Sequence, residues 1–345
     1  MKRYIQTVLI LGVTVGLMAF FLRNAELDLI GDAFRQARLG LLGASVSISI
    51  LTYGIRVERW RWLLRPLVGV GFTTAGRATV MGFAANTLLP GRVGEVLRPM
   101  VLARHAPIST SAGLATIVVE RVLDLLAIVI MLAIAVLLFH PPMSDVDMFS
   151  TLRLAAVLSG TVGVIGSAAL VFVAQNPAQA MRGVAWAVRI LPFRARRVVL
   201  ELSERFFSGL AVVRQPRTLV VAMGLSIVLW LGIASGIWAA TVAFGIEVSV
   251  AGAVVLTGLI ALGVSVPTPG GAGGYHAAFQ LGATALYGAS AGQAVAAGLI
   301  NHAIAFVPVT LVGVVLMAQE GIRMNTVFAL SDTPAPSPEI SRSSS

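Results

Sequence analysis

The chain has 345 residues, of which 57% are hydrophobic and only 12% charged, about half the charged share of an ordinary soluble domain (roughly 25%), so most of its surface must face lipid. It contains no cysteine, which excludes disulfides, thiolate metal sites and cysteine nucleophiles. The net charge of +10 lies almost wholly in arginines beside apolar segments, as the positive-inside rule expects, and does not point to nucleic acid.

Met1 to Arg23 has a basic start and an apolar run from about Ile5 to Leu22. It lacks a convincing small-residue cleavage site and reads as a retained first helix. The loop that follows sets Glu26, Asp28 and Asp32 against Arg23, Arg35 and Arg38. A second helix spans about Leu39 to Ile55. Beyond it, Arg56, Arg59, Arg61 and Arg65 surround Trp60 and Trp62. Tryptophan and arginine together mark a membrane–water interface, here the cytoplasmic one. They serve either as an anchor alone or as a lipid-headgroup contact.

Thr73 to Leu89 predicts a helix that carries Arg77. Pro90-Gly91 turns the chain, and Arg92 to Arg104 runs back with Glu95 and Arg98 inside. The next long helix, about Ser111 to Phe139, ends at HPPMSDVDM, an acidic stretch that reads as periplasmic. For that helix to start in the cytoplasm, residues 73–104 must enter and leave on one side, as a re-entrant hairpin. Leu152 to Ala174 returns. The segment 175–217 is rich in arginine and amphipathic, with Trp186, Ile190, Phe193, Val198, Leu202 and Phe206 near helical spacing, and is expected along the inner leaflet. Leu219 to Phe244 spans. Val250 to Val266 enters the membrane, Pro267 to Gly274 breaks it, and Tyr275 to Tyr287 returns as a second hairpin from the opposite side. Gln293 to Met317 is the last span, and Ser331 to Ser345 is a polar, proline-rich tail expected to be disordered.

The two breaks, NTLLPGRVGEVLR at 86–98 and PTPGGAGGYH at 267–276, carry the most information. Bare N–H and C=O groups in hydrocarbon cost several kcal/mol each, so irregular backbone at membrane depth survives only inside protein or around a water-filled cavity. A matched pair of breaks in two halves points to a transport site between structural repeats. The expected fold is all-α and polytopic, with about six full spans and two re-entrant hairpins in inverted repeats. One membrane domain covers 1–325, with repeat one about 39–139, repeat two about 217–318, and a tail at 326–345.

Ionisable groups inside spans are functional candidates. Glu120 and Asp124 are four apart and share a helix face, with Arg121 beside them. Arg77, Arg92, Glu95 and Arg98 on the first hairpin are their expected partners. The group is either a static salt-bridge cluster or a polar cavity for an anionic headgroup, with Arg92 and Arg98 on phosphate and Asn86 on the same break. In the second half Pro267, Pro269, Gly270, Gly271, Gly273 and Gly274 bend the chain. The glycines either allow tight packing or free N–H groups at a helix start for an anion. Asn301 and His302 either hydrogen-bond between helices or meet substrate. The four histidines, His105, His140, His276 and His302, are scattered along the chain. No Walker loop, HExxH, GxSxG or acidic metal cluster occurs, so no cofactor or metal is implied and the expectation is a non-enzyme.

LPGRVGEVLRP at 89–99, ERVLDLL at 120–126 and PTPGGAGGYHAAF at 267–279, in this order, resemble the flippase-like transmembrane domain of lysylphosphatidylglycerol synthases, over roughly residues 5 to 320. Full-length synthases add a cytoplasmic aminoacyltransferase domain after the membrane part. None follows the last span in this sequence, so the resemblance implies lipid handling or translocation and not aminoacyl transfer. Many members carry a glutamate where this sequence has His276.

The expected function is translocation, without ATP, of an anionic or polyprenyl/hopanoid-type lipid in a bacterial inner membrane, with both termini cytoplasmic. Two other readings stay open: an enzyme acting on a lipid headgroup through Asp124, Glu120 or His276, and a non-catalytic scaffold. The expected partners are a membrane lipid, lipid-biosynthesis enzymes and a second copy of the chain.

Overall fold

The computed structural model describes residues 27–89, 92–138, 146–265 and 268–322. The expected first helix at 5–22, the Pro90-Gly91 turn, Pro267 and the tail from 326 lie outside the described residues, and so does most of the expected acidic loop before residue 146.

The described chain is α-helical: α1 Leu27–Gln36, α2 Leu39–Leu64, α3 Phe72–Leu88, α4 Gly94–His105, α5 Thr110–Leu138, α6 Val146–Gln175, α7 Pro177–Ala187, α8 Phe193–Gly209, α9 Pro216–Ala243, α10 Val250–Val264, α11 Ala272–Tyr287 and α12 Ala291–Gln319. Local chemistry sets several starts and stops. Proline opens α7 and α9, where its missing N–H costs nothing. Ser249 caps α10 by accepting from Gly252 N at 3.0 Å. Ser290 and Gln293 form a reciprocal capping box at α12. Gly271 and Gly288, both left-handed, bracket α11.

Among the described residues, α2, α9 and α12, with 26, 28 and 29 residues, are long and apolar enough to cross a membrane, since about 20 residues suffice. Ile50, Leu51, Val157, Val164, Leu311 and Val315 each leave more than half of their surface uncovered. Apolar surface on this scale suits lipid and not water. The chain is a multi-pass helical membrane protein.

Two parts of the sequence reading change. The charged stretch before residue 39, expected as a loop, contains helix α1, whose Phe34 packs edge-on to Phe244 at 5.6 Å. The expected interfacial loop after residue 55 is the second half of α2. Arg59 and Trp60 within it are fully buried, because each has a partner inside the bundle.

One succession of helices occurs twice. A long helix, two short ones and a long one appear as α2–α5 and again as α9–α12. Packing between them is reciprocal: α2 lies on α9, α3 on the final helix α12, and α10 on α5. Both short pairs are drawn together by glycine. A Cβ at Gly94 would stand 1.8 Å from the Gly82 carbonyl oxygen, and one at Gly274 would stand 1.9 Å from that of Gly263. Between the halves, α7 and α8 form an amphipathic appendage. Its Trp186, Ile190 and Phe193 are 70%, 90% and 79% exposed, while Phe206 packs inward beside Ala115 and Leu123 of α5.

Candidate functional site

The turn before α11 meets the C-terminal end of α3. A Cβ at Gly270 would touch Thr87 at 3.4 Å, and beside this contact lies a cavity of about 510 Å³. That volume falls in the range of small-ligand pockets, about 300–1000 Å³. Every charged group on its wall comes from the first half: Arg56, Arg92, Glu95, Arg121 and Asp124. The second half supplies apolar and neutral polar groups, among them Trp230, Ile233, Ile260, Thr268, Gly270 and Asn301.

Beneath the charged wall runs a buried ion network. Glu120 is fully buried and accepts from Arg98 Nη1 at 3.1 and 3.2 Å and from Arg121 Nη2 at 3.0 Å, with Arg59 Nη2 also at 3.0 Å. Asp124 pairs with Arg59 and with Arg121 Nη1 at 3.5 Å, and accepts from Trp230 Nε1 at 2.9 Å. Arg59 also donates to Ser226 at 2.8 Å. The Arg98 guanidinium lies 3.8 Å from the Trp60 ring centre, and Trp60 Nε1 donates to Thr116 at 3.0 Å. Buried charges of this kind are tolerated because every one has a counter-ion and hydrogen bonds. Glu95 lies at the edge, 3.9 Å from Arg121 and 4.0 Å from Arg92.

The structure thus gathers Asn86, Arg92, Glu95, Arg98, Glu120, Arg121, Asp124, Gly270, Gly271 and Asn301 at or under one cavity, and it corrects the roles of several. Arg77 does not join the acids of α5. It pairs with Glu320 at the end of α12, 3.0 Å away, and His105 approaches the other oxygen of Glu320 at 3.5 Å. Arg98 is buried on Glu120 and is not among the residues of the cavity wall. Helix α11 starts at Ala272, before the expected point. Gly274 serves close packing on Gly263, and Gly273 is buried in the same turn. Pro269 opens a short turn to Gly271 in which Gly270 and Gly271 take φ of 61° and 64°, values that favour glycine. The histidines are not all scattered: the rings of His276 and His302 are 4.7 Å apart, and His302 Nε2 lies 3.0 Å from the Gly270 carbonyl oxygen. Asn301 turns to its own helix, donating to Ala297 O at 3.1 Å.

Sequence reasoning put Arg56 and Arg59 at the membrane–water interface, as anchors or headgroup contacts, and not inside the bundle, and it missed Trp230. A signal for the first two exists: Ser45, Ser49, Thr52, Arg56 and Arg59 recur at alternating steps of four and three, one face of a helix. On that face Ser45 Oγ donates to Gly236 O at 2.9 Å and Ser49 Oγ to Ile304 O at 3.4 Å. The polar stripe faces inward, so the arginines that continue it do too.

Comparison with known proteins agrees with this architecture. Residues 7–313 match the family described as the lysylphosphatidylglycerol synthase TM region. The chain is also 28% identical over 330 residues to a protein named Glycosyltransferase AglD from Haloferax volcanii. That match takes in 87% of this chain and 51% of the other, so the chain spans about half the length of that relative. With the family pattern covering most of its length, including both helix pairs and the charged helix between them, the chain belongs to the lysylphosphatidylglycerol synthase transmembrane-region family.

Proposed function

We propose that the protein moves a lipid with a phosphate-bearing headgroup, a phospholipid or a polyprenyl- or hopanoid-type lipid, between the leaflets of a bacterial inner membrane without ATP. One observation carries the reading: the two short helix pairs meet, the turn of the second on the end of α3, at a cavity with charge on one wall and apolar surface on the other. In this reading the pairs are re-entrant hairpins entering from opposite sides, and α2–α5 and α9–α12 are inverted repeats. The reciprocal packing of α3 on α12 and α10 on α5 supports it. The headgroup rides in the cavity, where the arginines replace its water, while the acyl chains stay in the bilayer.

The test uses purified protein in liposomes without nucleotide, measuring the appearance of inner-leaflet fluorescent lipid outside. Wild type should exceed empty liposomes for anionic lipids. Gly270→Val and Gly271→Val should each lower the rate at least tenfold, because a β-branched side chain resists positive φ and a Cβ at Gly271 already meets Val264 at 3.1 Å. Wild-type rates equal to empty liposomes across anionic, zwitterionic and polyprenyl-phosphate lipids would sink the proposal.

The relative's name favours a second reading, an enzyme acting on a lipid-linked headgroup. Against it, the carboxylate oxygens of Glu120 and Asp124 are occupied by arginines. Mass spectrometry of the recovered lipid separates the two: a changed headgroup supports the enzyme, an unchanged one the translocase.

Orientation has its own check. A cysteine replacing Glu204 on α8 should react only with reagent in the cytoplasm, and one replacing Ser290 only with reagent outside. Labelling of both from one side would overturn the inverted repeat.

A further inference from the structure

Arg56 stands apart from the other arginines of the cavity wall. Arg92 and Arg121 have carboxylates within 4.0 Å. Among the described residues Arg56 has none. Its guanidinium rests instead 4.9 Å from the ring centre of Phe83 and 5.8 Å from that of Tyr53, and its Nε, like that of Arg121, is buried without a hydrogen-bond partner. Ring faces attract a cation, but they return only part of the hydration it has given up. The surroundings repeat the message. Arg56, Arg59, Arg92, Arg98 and Arg121 face three carboxylates, Glu95, Glu120 and Asp124, so the site holds a surplus of two positive charges. Two further buried oxygens lack partners, Thr268 Oγ1 just before the second turn and Asn86 Oδ1 in the last turn of α3, and both residues line the cavity.

We infer that Arg56 is the anion-capturing residue of the cavity, and that it takes the phosphate of a net-anionic lipid headgroup whose neutral hydroxyl-bearing remainder hydrogen-bonds Thr268 and Asn86. The inference rests on the translocation reading and narrows its substrate. A zwitterionic lipid brings no net charge and leaves the surplus in place. An anionic phosphodiester offsets half of it, and its paired oxygens match the planar fork of a guanidinium. Arg56 waits on the rings and transfers to phosphate when the headgroup enters.

The experiment is native mass spectrometry of the full chain released from nanodiscs with equal phosphatidylglycerol and phosphatidylethanolamine. Wild type should retain phosphatidylglycerol about tenfold over phosphatidylethanolamine, the scale of one charge-assisted hydrogen bond. Arg56→Gln should bring that ratio to threefold or less. Arg56→Lys should fall between, because an ammonium keeps the charge and loses the fork. Equal retention of the two lipids by wild type overturns the inference, as does an unchanged ratio in Arg56→Gln. If the glutamine variant yields no folded species, the lysine variant decides: a ratio about threefold below wild type supports the role and an unchanged ratio overturns it. A second arm adds excess inorganic phosphate. Phosphate bound in an Arg56-dependent way with no lipid retained would mean a free-anion site, and the lipid assignment falls. Anionic lipid retained through Arg56 but never translocated in liposomes would leave this site standing and remove the transport reading.

Discussion

Replacing Glu120 with alanine should be among the most damaging single changes in the protein, costing on the order of 3–5 kcal/mol of stability, the usual penalty for leaving buried charges without a partner. Three arginines, Arg59, Arg98 and Arg121, converge on this carboxylate. Without it Arg59 and Arg121 keep Asp124, while Arg98 has no carboxylate within 4.0 Å among the described residues. Thermal unfolding in detergent, followed by size-exclusion recovery, measures the loss. Glu120→Gln, which keeps shape and drops charge, should lose less but still fail in the liposome assay. The network also predicts non-additivity. Glu120→Gln with Arg98→Gln should be little worse than the worse single, because each removes the same contact. Arg92 behaves differently: its side chain is 48% exposed and its nearest carboxylate is Glu95 at 4.0 Å, so Arg92→Gln should cost less than about 1 kcal/mol and add to Glu120→Gln. Additivity for Arg98, or coupling for Arg92, would show that the network is not wired this way.

Gly94→Ala and Gly274→Ala should be comparably severe for a different reason. In each short pair the obstacle to a methyl group is backbone, the carbonyl of Gly82 or Gly263, at 1.8 and 1.9 Å. A side chain could swing aside, but a carbonyl held in a helix cannot, so the arms must part. Overpacking typically costs 1–3 kcal/mol, and these sites should reach or exceed the upper end. Gly40→Ala and Gly43→Ala are the controls. Nothing lies within 4 Å of a Cβ at either, and the gain in helix propensity of about 1 kcal/mol should leave α2 unharmed or firmer. Melting temperatures of the four variants give the comparison. Equal tolerance of alanine at positions 40 and 94 would contradict the close crossing.

The sequence was most legible where one physical rule acts alone. Apolar length located α5, α9 and α12 to within a few residues, and the glycine-proline break at 267–274 located the turn before α11. The rule that intramembrane charge seeks partners placed Glu120, Arg121 and Asp124 in one network with Arg98. It was less legible where two rules compete. Arg59 and Trp60 carry the composition of an interface, yet the polar stripe from Ser45 onward turns them inward, and burial on Glu120 and Thr116 outweighs the interfacial preference. Arg77 shows the converse. Its charge suggested the central network, but its partner Glu320 lies 243 positions away, and no local pattern reports so distant a pairing. The pairing of His276 with His302 was hidden for the same reason, since it depends on how α11 meets α12.

The reciprocal seating of each half's short pair on the other half's closing helix bears on how the chain is made. As the polypeptide leaves the ribosome, α3 emerges more than two hundred residues before α12, the helix it packs against. Until then the face of α3 with Val80 and Ala84, on which Gly313 of α12 seats, lacks its final neighbour, and the charged network beside it is held by α2, α4, α5 and α9. The early half of the molecule must therefore wait in the bilayer as an incomplete body, and its maturation is timed by translation of the last helix. A chain that stops before residue 291 would lack the helix on which α3 seats.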